Sequence, residues 1–193
     1  MRVSLESVTG RATHQIVAGP QGVDESLYTQ IRTELGIRQA APVIEGGLTV
    51  PSADDRPLTL LGLDAFAEGP FQRPLGGAQG LGAAFNDLFL RDNAIAVGEK
   101  EAERLGVETG DALPVRINGQ AQTLVVAAVI ADAKDQARGL AFADIASAQT
   151  RLGQLGRLDR IDLIITEAQV PRIEAALNGT EARLVPAAAS STA

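Results

Sequence analysis

The chain opens on a two-residue alternation. Val3, Leu5 and Ser7 fall in one phase, and Val8, Ala12 and Ile16 in another. Strand side chains point to opposite faces in turn, so this predicts one long strand over residues 3 to 18. A bulge is expected at Gly10, where the phase changes. The period then lengthens. Asp24 has the short acceptor side chain of a helix N-cap, and Glu25 puts a negative charge in the first turn. Leu27, Ile31 and Leu35, with Tyr28 beside them, form one helical face that Gly36 ends. Ala41 to Gly46 and Leu58 to Leu63 read as strands on either side of a polar turn, Pro51 to Pro57. The far end resumes in kind. Ile161 to Thr166 is strand-like, and Pro171 stands where a first helical turn tolerates it. Ile173, Ala176 and Leu177 make a helix face, Gly179 stops it, and Ala182 to Val185 is a closing strand broken by Pro186.

The two ends thus supply βαββ and βαβ units. These are the material of an α+β fold, a split βαβ, ferredoxin-like sandwich with helices on one face. The middle differs. Gly69 to Gly82 reads as a crossing loop, Ala94 to Val97 as a short strand, and Glu99 to Leu105 as a helix stopped by Gly106. Gly110 to Ile130 is a tight β unit in which Asn118-Gly119 predicts a type I′ hairpin turn. Leu140 to Ala143 is another strand. Asp144 caps a helix with Ile145, Ala148 and Leu152 on its face, ended by Gly153. The expected organisation is a porter-like subdomain from residues 1–70 and 157–193, with 71–156 as an inserted, smaller, β-rich α/β subdomain. Gly69 to Gly82 and Ala133 to Gly139 are the expected flexible seams, and Pro186 to Ala193 a small polar tail.

Composition narrows the function classes. The chain has 193 residues and a formal net charge of -7. That balance argues against a nucleic-acid groove, which needs clustered Lys and Arg. With five Phe and one Tyr there is no stacking platform for bases. Cysteine is absent, which excludes thiol catalysis and Cys-ligated metals. The longest apolar run, Leu124 to Ala131, is far shorter than the roughly 20 residues of a membrane helix. Without a signal-like start, the residues alone read as a soluble cytosolic protein or a soluble domain cut from a longer chain.

Candidate chemistry is thin. The stretch Gly76-Gly77-Ala78-Gln79-Gly80-Leu81-Gly82 has no Lys-Ser/Thr after it, so it is not a phosphate-gripping loop. The single histidine, His14, lies inside the first strand with no nucleophile elbow elsewhere. Asp54-Asp55 sits in a turn between prolines. Asp159 and Asp162 flank a strand start, interleaved with Arg157 and Arg160; surface ion pairs are their expected role. Asn178-Gly179-Thr180 matches a glycosylation acceptor, and a helix C-terminus explains it equally. No catalytic, cofactor-binding or metal residues are assigned, and no cofactor is expected.

An ordered series of segments carries a resemblance. Val8-Thr9-Gly10-Arg11-Ala12, Ala41-Pro42-Val43-Ile44-Glu45-Gly46 and Leu60-Leu61-Gly62-Leu63-Asp64 come first. Ala94-Ile95-Ala96-Val97, Ala102-Glu103-Arg104-Leu105-Gly106 and Gly110-Asp111 follow. Ala143-Asp144-Ile145-Ala146-Ser147-Ala148-Gln149 and Leu158-Asp159-Arg160-Ile161-Asp162-Leu163 complete it. Over residues 3 to 186 the chain resembles the extracytoplasmic domain of MacB/FtsX-like ABC transporter permeases. The resemblance implies a domain on the periplasmic side of the inner (cytoplasmic) membrane, between the first and second of four membrane helices. It implies a non-enzymatic part in transport, mechanotransmission from a cytoplasmic ABC ATPase subunit that acts through those helices. The implied partners are that ATPase, a second permease copy and a periplasmic adaptor or lipoprotein, with no nucleic acid. No residues here match the partner-docking elements of efflux members or the hook of lipoprotein-release members, so the resemblance assigns no substrate and no partner-binding residue. The alternatives are a free-standing soluble α/β ligand-binding or regulatory module and, more remotely, a hydrolase using Asp159 or Asp162.

Overall fold

The computed structural model describes residues 12–64, 86–132 and 134–187. Residues 3–11 of the first expected strand, the Gly69–Gly82 loop and the tail beyond Ala187 lie outside them. The described strands are β1 (His14–Val17), β2 (Val23–Asp24), β3 (Ala40–Val50), β4 (Arg56–Leu63), β5 (Ala94–Gly98), β6 (Ala112–Ile117), β7 (Gln120–Ile130), β8 (Leu140–Asp144), β9 (Arg157–Leu158), β10 (Arg160–Leu163) and β11 (Arg183–Pro186). The helices are α1 (Glu25–Thr33), α2 (Glu99–Leu105), α3 (Ile145–Leu152) and α4 (Val170–Leu177), and residues 86–90 are also helical.

Local chemistry places most of these ends. The Asp24 carboxylate accepts the Ser26 backbone N–H at 2.9 Å and starts α1. Asp144 does the same for α3 through Ala146, and Gly106 and Gly153 close α2 and α3 in the left-handed region. Asn118 and Gly119 both have positive φ, as a type I′ turn requires. Other boundaries shift. Helix α1 stops at Thr33, and Leu35 lies beyond it with its N–H bonded to the Gln30 carbonyl. Strand β10 ends at Leu163 because the Ile164 and Ile165 amides turn to Gln39 and to the Thr13 hydroxyl. The two-residue pair β2–β9 has no periodicity to betray it.

The chain-end strands form an antiparallel sheet in the order β11–β1–β10–β3, with α1 and α4 packed on one face. This is the ferredoxin-like arrangement, an α+β fold. Ile16, Ile31, Ile161, Leu163 and Ile173 are at its centre. Strand β3 does not stop at Gly46 but runs on to Val50, where it enters a second arrangement. There the order β3–β4–β8–β5–β7–β6 returns to β3 through Thr49 opposite Arg116. Six strands close on themselves, with Leu113, Val115 and Ile117 of β6 alternating inward against Leu48, Leu60, Ile95 and Val126. Strand β4 lies within this ring, bonded to β3 and, in parallel, to β8.

Two glycines seat α3 on the ring. A Cβ at Gly46 would lie 2.5 Å from Leu152 Cδ2, and one at Gly62 would meet Ile44 Cγ2 at 2.6 Å and Ala148 Cβ at 2.9 Å. Ile145, on the same helix, packs against both cores. A buried carboxylate clamps the other end. Glu101 of α2 accepts from the Arg56 guanidinium through two nitrogens, from Arg104 at 2.9 Å and from the Gly139 backbone N–H at 3.0 Å. Arg104 also holds Asp135, whose φ of 55° is left-handed. The Asp132 carboxylate accepts the Gln136 and Ala137 amides, both at 2.8 Å. The segment 134–139, expected as a flexible seam, is therefore pinned by charged hydrogen bonds.

Gly62→Ala should destabilise the chain by about 1–3 kcal/mol, because the Ala148 Cβ is fixed on its helix. Gly47→Ala, with nothing within 4 Å of its Cβ, should change stability by less than about 0.5 kcal/mol. Urea unfolding midpoints compare the two. Glu101→Ala strands two cations and a buried amide and should cost about 3 kcal/mol. Burial of Glu101 opposes its charge, but the Arg56, Gly139 and Arg104 bonds outweigh burial and hold its carboxyl below the ordinary value of 4.5. Its stabilisation is complete above that pH and is lost as pH falls through the depressed value. Acid unfolding curves of the variant should therefore be flatter below pH 4.5.

Candidate functional site

Strand β3 changes partners along its length. Ala40–Val43 bond to β10, Ile44–Val50 bond to β4 on the other edge, and Thr49 meets β6 on the edge that β10 has left. Between Val43 and Thr49 that edge has no strand partner among the described residues. Asp159 closes the ladder. Its N–H donates to the Val43 carbonyl at 2.8 Å, and its carboxylate accepts the Glu45 N–H at 2.7 Å. Alternate residues of a strand present N–H and C=O to the same edge, so those of Gly47 point the same way. A cleft of about 230 Å³ opens there. Gly46, Gly47, Gln21, Asn118, Gln154 and Arg157 are among the residues that line it.

The charges near it are unevenly matched. Burial pushes the Glu45 carboxyl up; Arg160 opposes this, and the neighbouring Asp159 and Asp162 add to it. Glu45 Oε2 is buried without a hydrogen-bond partner. Burial also raises Asp159, against the Glu45 N–H and Arg160. Asp162 is fully buried; one oxygen accepts Arg160 Nε at 2.9 Å and the other has no partner.

A second feature is the pairing of the chain ends. His14 faces Pro186 across β1–β11, and the Ala187 N–H donates to the Thr13 carbonyl at 2.9 Å. The Thr13 hydroxyl accepts the Ile165 N–H at 3.0 Å, tying the entry to the stretch after β10. The described chain enters and leaves side by side.

Other residues singled out in the sequence stay apart. His14 Nδ1 is 3.0 Å from the Thr13 hydroxyl, and that neighbour is not part of an acid–base pair. Asp54 and Asp55 occupy a turn with both φ values positive. At Asn178-Gly179-Thr180, Gly179 is left-handed and the Thr180 hydroxyl donates to the Leu177 carbonyl at 2.7 Å, the geometry of a helix end. Among the described residues, no three acidic or His side chains are placed to hold a metal, and no helix is long and apolar enough to cross a membrane. Sequence reasoning missed the open edge of β3. It also missed the Tyr28 hydroxyl that donates to Asp64 at 2.8 Å and accepts from Arg32 at 3.1 Å, joining α1 to the end of β4. Burial first and then Asp64 hold this phenol well above its ordinary value.

No protein-family model matches the chain. An uncharacterized ABC transporter permease protein of Mycobacterium tuberculosis is 33% identical over 177 residues, 89% of this chain. The chain spans 20% of the length of that relative. Two solved structures share the architecture. The periplasmic region of MacB from Actinobacillus actinomycetemcomitans superposes with a TM-score of 0.57 at 12% identity, over 96% of this chain and 94% of that one. The extracellular domain of the noncanonic ABC-type transporter YknZ from Gram-positive bacteria gives 0.58 at 14% identity, over 90% and 99%. The chain has the fold of a MacB/FtsX-like periplasmic domain. Its sequence relates it to an ABC transporter permease, as the ordered motif series of the MacB-like domains implied.

In this MacB-like domain Asp159 terminates the ladder through its backbone N–H and its carboxylate. Its carboxyl is raised above the ordinary 3.8, so its contribution favours folding below that pH and is lost as pH rises through the raised value. Asp159→Asn keeps an oxygen for the Glu45 N–H and sheds the charge. It should unfold at equal or higher urea concentration than the parent at pH 7, the difference vanishing near pH 3.8. Asp159→Ala should be less stable at both. Equal losses for the two variants at pH 7 would refute the assignment.

Proposed function

We propose that the chain is the extracytoplasmic domain of an ABC transporter permease and works as a passive lever. In the whole protein it stands outside the cytoplasmic membrane between two membrane helices. A cytoplasmic ATPase tilts those helices, and the domain passes the movement to a second permease copy or to an adaptor or lipoprotein. The pairing of entry and exit at Thr13 and Ala187 carries this reading. Two membrane helices rising to one point on one sheet would move the domain as a body instead of distorting it. We also propose that the mechanical boundary crosses β3 near Gly46, between the ferredoxin-like sheet and the six-stranded ring, and not at residue 70. Strand β4 belongs with the ring on this division, and α3, which contacts both cores, is the strut that keeps the two from folding onto each other.

This chain contains no cysteine, so a cysteine placed at exposed Glu174 is the one reactive thiol of this domain, and labelling of the full permease is read against the parent permease without it. A membrane-impermeant maleimide should label Glu174→Cys in intact cells. Nitroxides on the two copies should change separation when the ATPase is trapped with nucleotide. Labelling only after lysis would remove the location, and an unchanged separation would remove the lever.

A further inference from the structure

We propose that the gap in the β3 ladder between Val43 and Thr49 is a docking site for an extended, basic segment of a partner polypeptide, which adds a short strand there. Exposed strand edges are normally blunted by proline, lysine or a covering element. This edge is internal to the sheet, bounded by β10 at one end and β6 at the other, and carries glycine at its centre. Gly47 is exposed and has no side chain to cover the edge, so another backbone can approach. The Glu45 N–H is already taken by Asp159. The Glu45 carbonyl and both polar groups of the Gly47 backbone remain on the open edge, a donor–acceptor pattern that main chain matches. A cleft of about 230 Å³ lies over them.

Charge selects the segment. Glu45 and Asp159 line the cleft with a single cation, Arg157, and Glu45 Oε2 has no hydrogen-bond partner. A lysine or arginine brought in beside Asp159 and Glu45 would balance this excess. The adjoining loop Gly153–Gly156, held by a left-handed glycine at each end, carries Leu155 at 72% exposure, an apolar contact beside the polar cleft. The site goes beyond the permease reading and does not depend on how the domain couples to a membrane.

The test titrates the isotope-labelled 193-residue chain with the peptide acetyl-Thr-Val-Lys-Val-Thr-amide and follows backbone amide resonances. Shifts should concentrate at Glu45–Leu48 and Asn118. N-methylation of the two peptide valines removes main-chain donors while leaving the protein untouched, and should weaken binding about tenfold. Asp159→Asn should bind the lysine peptide less tightly but its serine counterpart equally. Equal affinity for the N-methylated peptide would overturn the proposal. So would shifts centred elsewhere, or shifts in the same residues that grow with protein concentration alone, which would mark a second copy of the chain as the occupant.

Discussion

The continuity of β3 is the constraint from which the rest follows. An eleven-residue strand shared between two cores leaves little freedom at its crossing point, because both halves must keep one twist and one alternation of faces. Its first half is bonded to β10 and its second to β4, so the strand is always paired on at least one side. Helix α3 then fixes the bend. Gly46 and Gly62 remove the two Cβ atoms that would hold it off, and the helix settles close enough to touch both cores through Ile145. The ferredoxin-like sheet and the ring are therefore joined by backbone on one side and by packing on the other.

Charge is used sparingly inside this framework and with full partnering where it matters most. Glu101 is surrounded by two guanidinium groups and a backbone amide, and it links the start of β4, helix α2 and the loop before β8. A buried carboxylate with this many donors specifies one arrangement of three elements, since every alternative leaves a charge stranded. The carboxylates near Asp159 are the opposite case, with more acid than base and with oxygens left over. The contrast separates a clamp completed within the fold from a site that an outside group could complete.

Much of the fold was legible because it is locally encoded. Asp24, Asp144, Gly106, Gly153 and Asn118-Gly119 act within a few residues of themselves, and the structure has each in the role its chemistry suggests. The βαββ and βαβ units at the two ends were legible from their periodicity, and the split βαβ arrangement expected from them is the sheet β11–β1–β10–β3, with β4 in the ring instead. The site was not legible. Gly46 read as a strand end because a glycine in a strand looks like a break; its use depends on Leu152, over a hundred residues away. The open edge of β3 exists only once β10 and β6 have taken their places. Glu101 sits in the charged run Glu99-Lys100-Glu101 of a short helix, and nothing local marks it as buried. The loop 134–139 looked loose by composition and is held by partners far along the chain.

The neighbouring ends at Thr13 and Ala187 set a mechanical rule. Antiparallel β1 and β11 begin and finish at one margin of the sheet, so a load that tugs both ends in the same direction spreads across the entire ladder. A load that draws them apart falls on one rung at a time, and among the described residues the first is the Ala187–Thr13 bond. Whatever holds the two ends must keep them in step, and the first casualty of any mismatch would be that outermost rung.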